Sequence, residues 1–202
     1  RARKSLERIR KFGVGGTHDR ILVPKLAIDG ELARNLFASQ LLCRVSDIEA
    51  HELRARNQGY YTICSAGHEG NVALGALTGP TDPALLHYRS GAFFIARAKS
   101  SGANRLDAAQ NLLLSLSASA SDPISGGRHK VFGSVAWGVP PQTSTISSHL
   151  PKAVGMALAI DRLKKLKADT SAPGVVTTTP SSIVMCSFGD ASLNHSTAQG
   201  AL

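Results

Sequence analysis

The chain has 202 residues, of which 43% are hydrophobic and 18% charged, and its formal net charge is +9. This length is enough for one domain with a sizeable core, and the composition is that of a globular protein. No apolar run is long enough to span a bilayer, so we predict a soluble protein without a membrane partner.

Three cysteines, Cys43, Cys64 and Cys186, lie far apart and form no CxxC pair. The histidines are scattered, and no two have the spacing of zinc ligands. This pattern favours buried thiols in a reducing cytoplasm over a zinc site.

Much of the positive charge lies at the start of the chain, where only Glu7 offsets six cations: Arg1, Arg3, Lys4, Arg8, Arg10 and Lys11. A basic tail can contact nucleic acid or acidic partners. A nucleic-acid-binding domain would interleave aromatic residues with basic ones on a plausible binding face, and this pattern is not found. We therefore interpret residues 1–30 as a basic lead-in or linker, and nucleic acid is not a favoured partner.

After the lead-in, the pattern predicts a long helix from Gly30 to about Asn57. Its large apolar residues step by four, four and three positions, which keeps one face apolar, as in an amphipathic helix; they are Phe37, Leu41, Val45 and Ile48. The segment Tyr60–Cys64 is strand-like. The Gly67–Gly70 segment then opens a short helix over Asn71–Leu77.

Helices continue to alternate with short apolar strands along the rest of the chain. Strands are predicted at Leu85–Arg89 and Ser181–Phe188, and helices at 92–100 and 105–117. A further helix begins near Leu150–Pro151, because proline is tolerated in a first turn. One of its faces is predicted to be apolar, with Leu150, Val154, Ala157 and Leu158. This alternation predicts an α/β fold with a parallel sheet flanked by helices.

Asp190 follows the last predicted strand in the turn Gly189-Asp190-Ala191. Ligands of open α/β sheets bind at the carboxyl ends of the strands, near helix N-termini. An acid at such a place can bind Mg²⁺, which in turn holds a diphosphate. The alternative is that Asp190 serves only as a helix cap or turn residue.

Two other segments carry side chains that suit phosphate or ring binding. Tyr88 and Arg89 end a predicted strand, and an arginine there can bind phosphate oxygens through two N–H groups. The loop with Ser144 and Ile146 combines small polar residues with one large apolar side chain. Judged singly, these are equally compatible with a surface arginine and a polar loop that tucks Ile146 into the core.

Taken in order, these segments resemble the alpha subunit of the thiamine-diphosphate-dependent, decarboxylating component of 2-oxo acid dehydrogenase complexes, the group with the pyruvate and branched-chain enzymes. The resemblance runs from about Glu31 to Leu202. It rests on five places: the helix end Gln58–Tyr61, then Gly67–Gly70, Tyr88-Arg89, Thr145–Pro151 and Gly189–Ala191.

The resemblance implies a thiamine-diphosphate-binding fold, incomplete at its C-terminal end, in which residues 31–202 form the N-terminal part of the alpha domain. By position, Tyr88 and Arg89 are expected to bind the diphosphate, and Ser144 and Ile146 to line the cofactor rings. Asp190 is expected to bind Mg²⁺, and the backbone of Ala191 to contact the diphosphate.

The implied activity is the oxidative decarboxylation of a 2-oxo acid, an oxidoreductase reaction on an oxo group with a lipoyl disulfide as acceptor. The implied partners are a beta subunit or fused beta region and a lipoyl-bearing acyltransferase component. The catalytic residues are expected beyond Leu202 and on the beta partner, so we expect this chain to be part of a longer polypeptide. The expected location is the cytoplasm, or the mitochondrial matrix in a eukaryote.

The chain departs from the family pattern at two positions, since Ala191 replaces a glycine and His149 replaces a glutamine. Two alternatives therefore stay open. One is a thiamine-diphosphate-dependent transferase or decarboxylase without a lipoyl partner. The other is a non-catalytic scaffold that keeps the fold without binding the cofactor.

Overall fold

The computed structural model of the protein describes residues 28–60, 63–128, 132–167 and 176–202. Six α-helices and two short strands make up its regular structure, together with 3-10 helices at Glu69–Asn71 and Asp190–Asn194. In chain order they are α1 (Gly30–Ala55), α2 (Val72–Leu77), β1 (Ala84–Leu85), α3 (Gly91–Ser100), α4 (Arg105–Leu116), α5 (Leu150–Leu166), β2 (Met185–Cys186) and α6 (Ser196–Gln199).

Helix α3 is the centre of the core. Every residue from Gly91 to Ala98 is buried, because helices α1, α2 and α4 all pack against it. Gly75 allows α2 to approach closely, since a Cβ there would collide with the backbone of Phe93. Phe94 packs between the rings of Phe132 and Trp137, with centroids 5.2 and 4.9 Å away.

The two strands form a parallel sheet in which Ala84 is paired with Met185 and Leu85 with Cys186. The structure therefore combines helices with a small parallel sheet, in agreement with the α/β class. The predicted helices lie within two residues of the observed ones. The predicted strands Leu85–Arg89 and Ser181–Phe188 are too long, because only two residues of each chain segment pair.

The apolar stripe of α1 does not face the core, contrary to the usual orientation of an amphipathic helix. The core side of α1 carries small and polar side chains, namely Ser39, Cys43, Ser46, Asp47 and Ala50. The four large apolar residues of the stripe lie on the opposite side and are exposed. The predicted apolar face of α5 is likewise corrected, because Leu150, Ala153 and Ile160 are its buried residues, whereas Val154, Ala157 and Leu158 are exposed.

Of the predicted lead-in, residues 1–27 lie outside the described residues, and α1 begins at Gly30 after its N-cap Asp29. Within the predicted strand Tyr60–Cys64, residues 61 and 62 also lie outside them, and Ile63 and Cys64 are not in a strand. In the described part of the chain, no helix is both long enough and apolar enough to cross a membrane.

Candidate functional site

The carboxyl ends of the two parallel strands meet at the same edge of the sheet. After β1 the chain continues into His87, Tyr88 and Arg89, and after β2 it continues into Ser187 and then Asp190. We call these five residues the strand-end cluster. A Cβ added to Gly189 would lie 3.7 Å from Nε2 of His87, which shows how closely the two segments pass. Two of the five places of the resemblance are thus neighbours in space.

Side-chain hydrogen bonds join the two strand ends. The hydroxyl oxygens of Ser90 and Ser187 lie 3.0 Å apart. The side-chain amide of Asn71 donates to both of these oxygens at 3.4 Å. Asn71 ends the 3-10 helix that follows Gly67, so this amide connects a third place of the resemblance to the strand-end cluster.

Arg89 is half-buried and is oriented by one backbone bond, in which its Nη1 donates to the carbonyl of Cys64 at 2.6 Å. Its guanidinium carbon lies 5.7 Å from the centre of the Tyr88 ring. The ring centroids of Tyr88 and His87 lie 3.9 Å apart, and the rings of His87 and His68 are stacked with their centroids 5.4 Å apart. Because a guanidinium has five N–H donors, the bond to Cys64 positions Arg89 while using only one of them.

The loop before α5 is fastened to the turn after β2. The hydroxyl of Ser147 donates to the carbonyl of Ser192 at 3.0 Å, and Nε2 of His149 lies 2.8 Å from the carbonyl oxygen of Ser187. Ser147 is fully buried and has a φ of 61°, a backbone conformation that non-glycine residues rarely adopt. This left-handed residue lets the loop hold Ile146 outward, and the Ile146 side chain is 55% exposed. The hypothesis that Ile146 is tucked into the core is wrong.

The Gly67–Gly70 segment is fixed to α1 and does not present a free acid. The carboxylate of Glu69 pairs with Arg44 on α1 and accepts the backbone N–H of Gly67 at 2.7 Å. Glu69 therefore stabilises this loop, and the loop in turn holds His68 beside His87.

Asp190 begins the 3-10 helix Asp190–Asn194, as the predicted strand-to-turn position requires, and its side chain is exposed, as are Ala191 and Ser144. In the described ranges, no group of three or more His, Cys, Asp or Glu residues has the arrangement of a metal site. Asp190 would thus supply a single carboxylate. Magnesium ions in phosphate sites are commonly bound by one or two carboxylates together with phosphate oxygens and water.

Four of the five places of the resemblance are connected by these contacts: Gly67–Gly70, Tyr88-Arg89, Thr145–Pro151 and Gly189–Ala191. For the fifth, at the end of α1, Tyr61 lies outside the described residues, and the carbonyl of Tyr60 accepts a hydrogen bond from Arg54 at 3.0 Å.

Sequence reasoning missed the residues that join the segments, namely Asn71, Ser90 and Ser187. Serine and asparagine are common surface residues, so their presence alone carried no signal. The available signal was position, because Ser90 follows one predicted parallel strand and Ser187 lies near the end of the other, and such strand ends converge.

Cys43, which is buried, and Cys186, which is partly buried, are not candidate nucleophiles. Burial raises the pKa of Cys43 to about 11, and it raises the pKa of Cys186 to about 11 as well. Both thiols therefore stay protonated near neutral pH, and the thiolate is the reactive form. All three cysteines are free, and the prediction of buried thiols is confirmed for Cys43, whereas Cys64 and Cys186 are only partly buried.

No protein-family model matches the chain, and no curated protein matches it significantly. The functional interpretation therefore rests on the residues and their arrangement.

Proposed function

We propose that this chain supplies the diphosphate- and Mg²⁺-binding half of a thiamine-diphosphate site in a 2-oxo acid dehydrogenase. The observation that carries the proposal is the parallel register of β1 and β2, which sets Tyr88-Arg89 and Asp190-Ala191 at neighbouring strand ends. Residues with a cation, a hydroxyl and a carboxylate thus follow the strands at one edge of the sheet, the edge where α/β proteins bind ligands.

The donor set suits a magnesium diphosphate. Arg89 offers a cation, already oriented by Cys64, to the phosphate oxygens, and Tyr88 offers a neutral hydroxyl. Asp190 is an exposed carboxylate for the metal, which binds oxygen ligands. Ala191 keeps the backbone N–H that a glycine would offer, at the cost of the conformational freedom of glycine.

Ile146 supports the assignment of the organic part of the cofactor. A large apolar side chain that is 55% exposed, next to the buried Ser147 with its positive φ, is in an unfavourable position when only water covers it. An aromatic ring packed against Ile146 would remove that contact with water. Ser144 lies on the same loop and is exposed.

Bound thiamine diphosphate would accept the electron pair released when a 2-oxo acid loses CO₂. The residues of this chain would bind and orient it. Arg89 and the metal held by Asp190 would neutralise the diphosphate, while the Ser147 and His149 bonds would keep the Ile146 loop in place. A beta partner would complete the site, and a lipoyl-bearing component would receive the acyl group.

The first experiment is calorimetric titration of thiamine diphosphate into the protein, with and without Mg²⁺. We expect Mg²⁺-dependent binding that Asp190→Ala abolishes and that Arg89→Met weakens. The matched control is Asp107→Ala, because Asp107 is also an exposed acid in the first turn of a helix. The control should bind like the wild type.

Different outcomes separate the three readings. If the folded protein, assembled with its beta partner, binds no cofactor, the enzyme assignment is wrong and the chain is a scaffold with an inherited fold. If the assembly binds the cofactor and decarboxylates 2-oxo acids but never acylates a lipoyl domain, the chain belongs to a transferase or decarboxylase without a lipoyl partner.

A further inference from the structure

Helix α1 carries its large apolar side chains on the side that faces water. Phe37, Leu41, Val45 and Ile48 are 64%, 52%, 51% and 51% exposed. The core side of the helix is held by small residues and by polar bonds, such as that of the Asp47 carboxylate to the N–H of Ser65. An apolar ridge of this kind on a globular protein indicates an interaction surface.

The ridge ends in opposite charges. Arg34 precedes Phe37 by three residues and Glu52 follows Ile48 by four, so both continue the same helix face. Both side chains are exposed. We define the α1 ridge by its six residues: Arg34, Phe37, Leu41, Val45, Ile48 and Glu52.

The α1 ridge is complementary to a second copy of itself that runs in the opposite direction. Arg34 and Glu52 are equidistant from the level of Cys43, and so are Leu41 and Val45. The midpoint between Phe37 and Ile48 lies half a residue away from that level. A second α1 ridge laid antiparallel would therefore place Arg34 opposite Glu52, Phe37 opposite Ile48 and Leu41 opposite Val45.

We propose that the α1 ridge is the contact surface of a two-fold symmetric dimer, in which the α1 helices of two copies pack antiparallel. A two-fold axis near the level of Cys43 produces each contact twice, as an isologous interface requires. The apolar side chains would leave water, and two Arg34–Glu52 pairs would set the direction of the helices. The only ion pair of Glu52 in the described residues, with Arg56, is long at 3.9 Å and exposed, so it competes weakly.

A parallel arrangement is disfavoured by the same charges. Parallel α1 helices would place Arg34 against Arg34 and Glu52 against Glu52, and like charges at an interface are repulsive. Within one chain the two residues cannot meet, because eighteen helical residues separate them by about 27 Å. Any energetic coupling between positions 34 and 52 must therefore act between two molecules.

The test is sedimentation velocity of the 202-residue chain across a dilution series, with charge-reversed variants. We expect the wild type to form a dimer. Arg34→Glu and Glu52→Arg should each weaken it about tenfold or more, because each replaces both symmetric ion pairs by like charges. Mixing these two variants should restore a dimer. In the mixed dimer one copy carries acids at both positions and the other carries cations at both, so opposite charges face each other again.

Two further variants complete the test. Leu41→Glu places a charge in the apolar centre and should abolish the dimer, whereas Leu166→Glu makes the same change at an exposed leucine on α5 and should leave it unchanged. Far-ultraviolet circular dichroism reports whether each variant keeps its helices. The proposal is overturned if the wild-type chain remains a monomer, if both charge reversals leave the dimer intact, or if mixing the folded variants restores nothing.

Discussion

The amino end and the carboxyl end of the two-stranded sheet carry similar residue types, but these side chains differ in burial and in hydrogen bonding. Each end has an arginine close by, Arg97 at the amino end and Arg89 at the carboxyl end. Arg97 is completely buried, and it donates to the carbonyls of Asp82 and Trp137 at 3.0 and 3.1 Å and to Thr78 Oγ1 at 2.5 Å. Arg89 is half-buried and donates to one carbonyl. The first arginine is bonded to three groups inside the fold, whereas the second makes one such bond and is the cation proposed to bind diphosphate.

The acids at the two ends differ in the same way. The carboxylate of Asp82 accepts the backbone N–H groups of Gly79 at 2.9 Å and Ile183 at 3.1 Å, so it joins segments that are distant in sequence. Asp190 is exposed in the first turn of its 3-10 helix. At the amino end, the side chains of Arg97 and Asp82 each make two bonds to backbone, whereas at the carboxyl end Arg89 makes one side-chain bond to backbone and Asp190 is exposed.

The largest expected effect comes from making the same substitution at both arginines. Arg97→Met should lower the free energy of unfolding by about 3 kcal/mol, because it removes the donor to the buried Trp137 carbonyl and to the partly buried Asp82 carbonyl. Arg89→Met should lower it by about 1 kcal/mol while removing the cation proposed to bind diphosphate. Urea denaturation measures both values. Equal losses would show that the comparison between the two ends is wrong.

A pH series tests whether the Cys43 thiol on α1 is buried in the folded protein. Its pKa rises from 9.0 to about 11 in the folded protein, mainly through burial. The folded state therefore keeps a proton that the unfolded chain releases, so stability is fully present below pH 9 and falls as the pH rises towards 11. The loss should approach about 2.7 kcal/mol for a two-unit shift.

The control for this series is Cys43→Ala, measured by urea denaturation at the same pH values. Its stability should fall less steeply above pH 9, although Cys186 will still contribute because burial raises its pKa too. Parallel curves for the wild type and the variant would rule out a buried thiol at Cys43.

Two substitutions at Ser147 separate two effects on the Ile146 loop. One is the stabilising bond from the Ser147 hydroxyl, and the other is the unfavourable positive φ of this residue. Ser147→Ala should cost about 2 kcal/mol, because it loses the bond to the Ser192 carbonyl. Ser147→Gly should cost about 1 kcal/mol less than that, since glycine adopts this φ readily. Thermal unfolding gives the order, and a less stable glycine variant would contradict the explanation.

The smallest expected effect on stability is at Asp190. Asp190→Asn should change the free energy of unfolding by no more than about 0.5 kcal/mol, because the side chain is exposed. A loss of several times this size would mean that Asp190 supports the fold as Asp82 does. A neutral result would leave it available for the metal.

Much of the local structure could be predicted because helix formation depends on nearby residues. The bounds of α3 and α4 follow from short-range patterns and differ little from the expected 92–100 and 105–117. The strands were predicted too long, since pairing needs a partner that the local sequence does not contain. Residues around Leu85 and Met185 stay extended, but only two positions in each find a neighbouring backbone.

In the candidate site, likewise, residue types could be predicted from the sequence but the contacts between them could not. The sequence identified Tyr88, Arg89 and Asp190 by residue type and by their places after apolar runs. It could not show that Asn71, Ser90 and Ser187 join them, because that depends on which strands are adjacent and in what register. Nor could it show that Ser147 is buried with a positive φ while Ile146 is exposed.

By itself, the sequence determined where the helices lie, that the cysteines are unpaired, and which residue types stand at the ends of two apolar runs. Only the tertiary structure decided which side of α1 meets the core. Periodicity reveals that Phe37, Leu41, Val45 and Ile48 share a face, but it does not say what covers that face. Here the core accepts the small residues of the opposite side, because α3 packs too closely against α1 for larger ones: a Cβ on Gly91 would already lie 3.0 Å from the sulfur of Cys43.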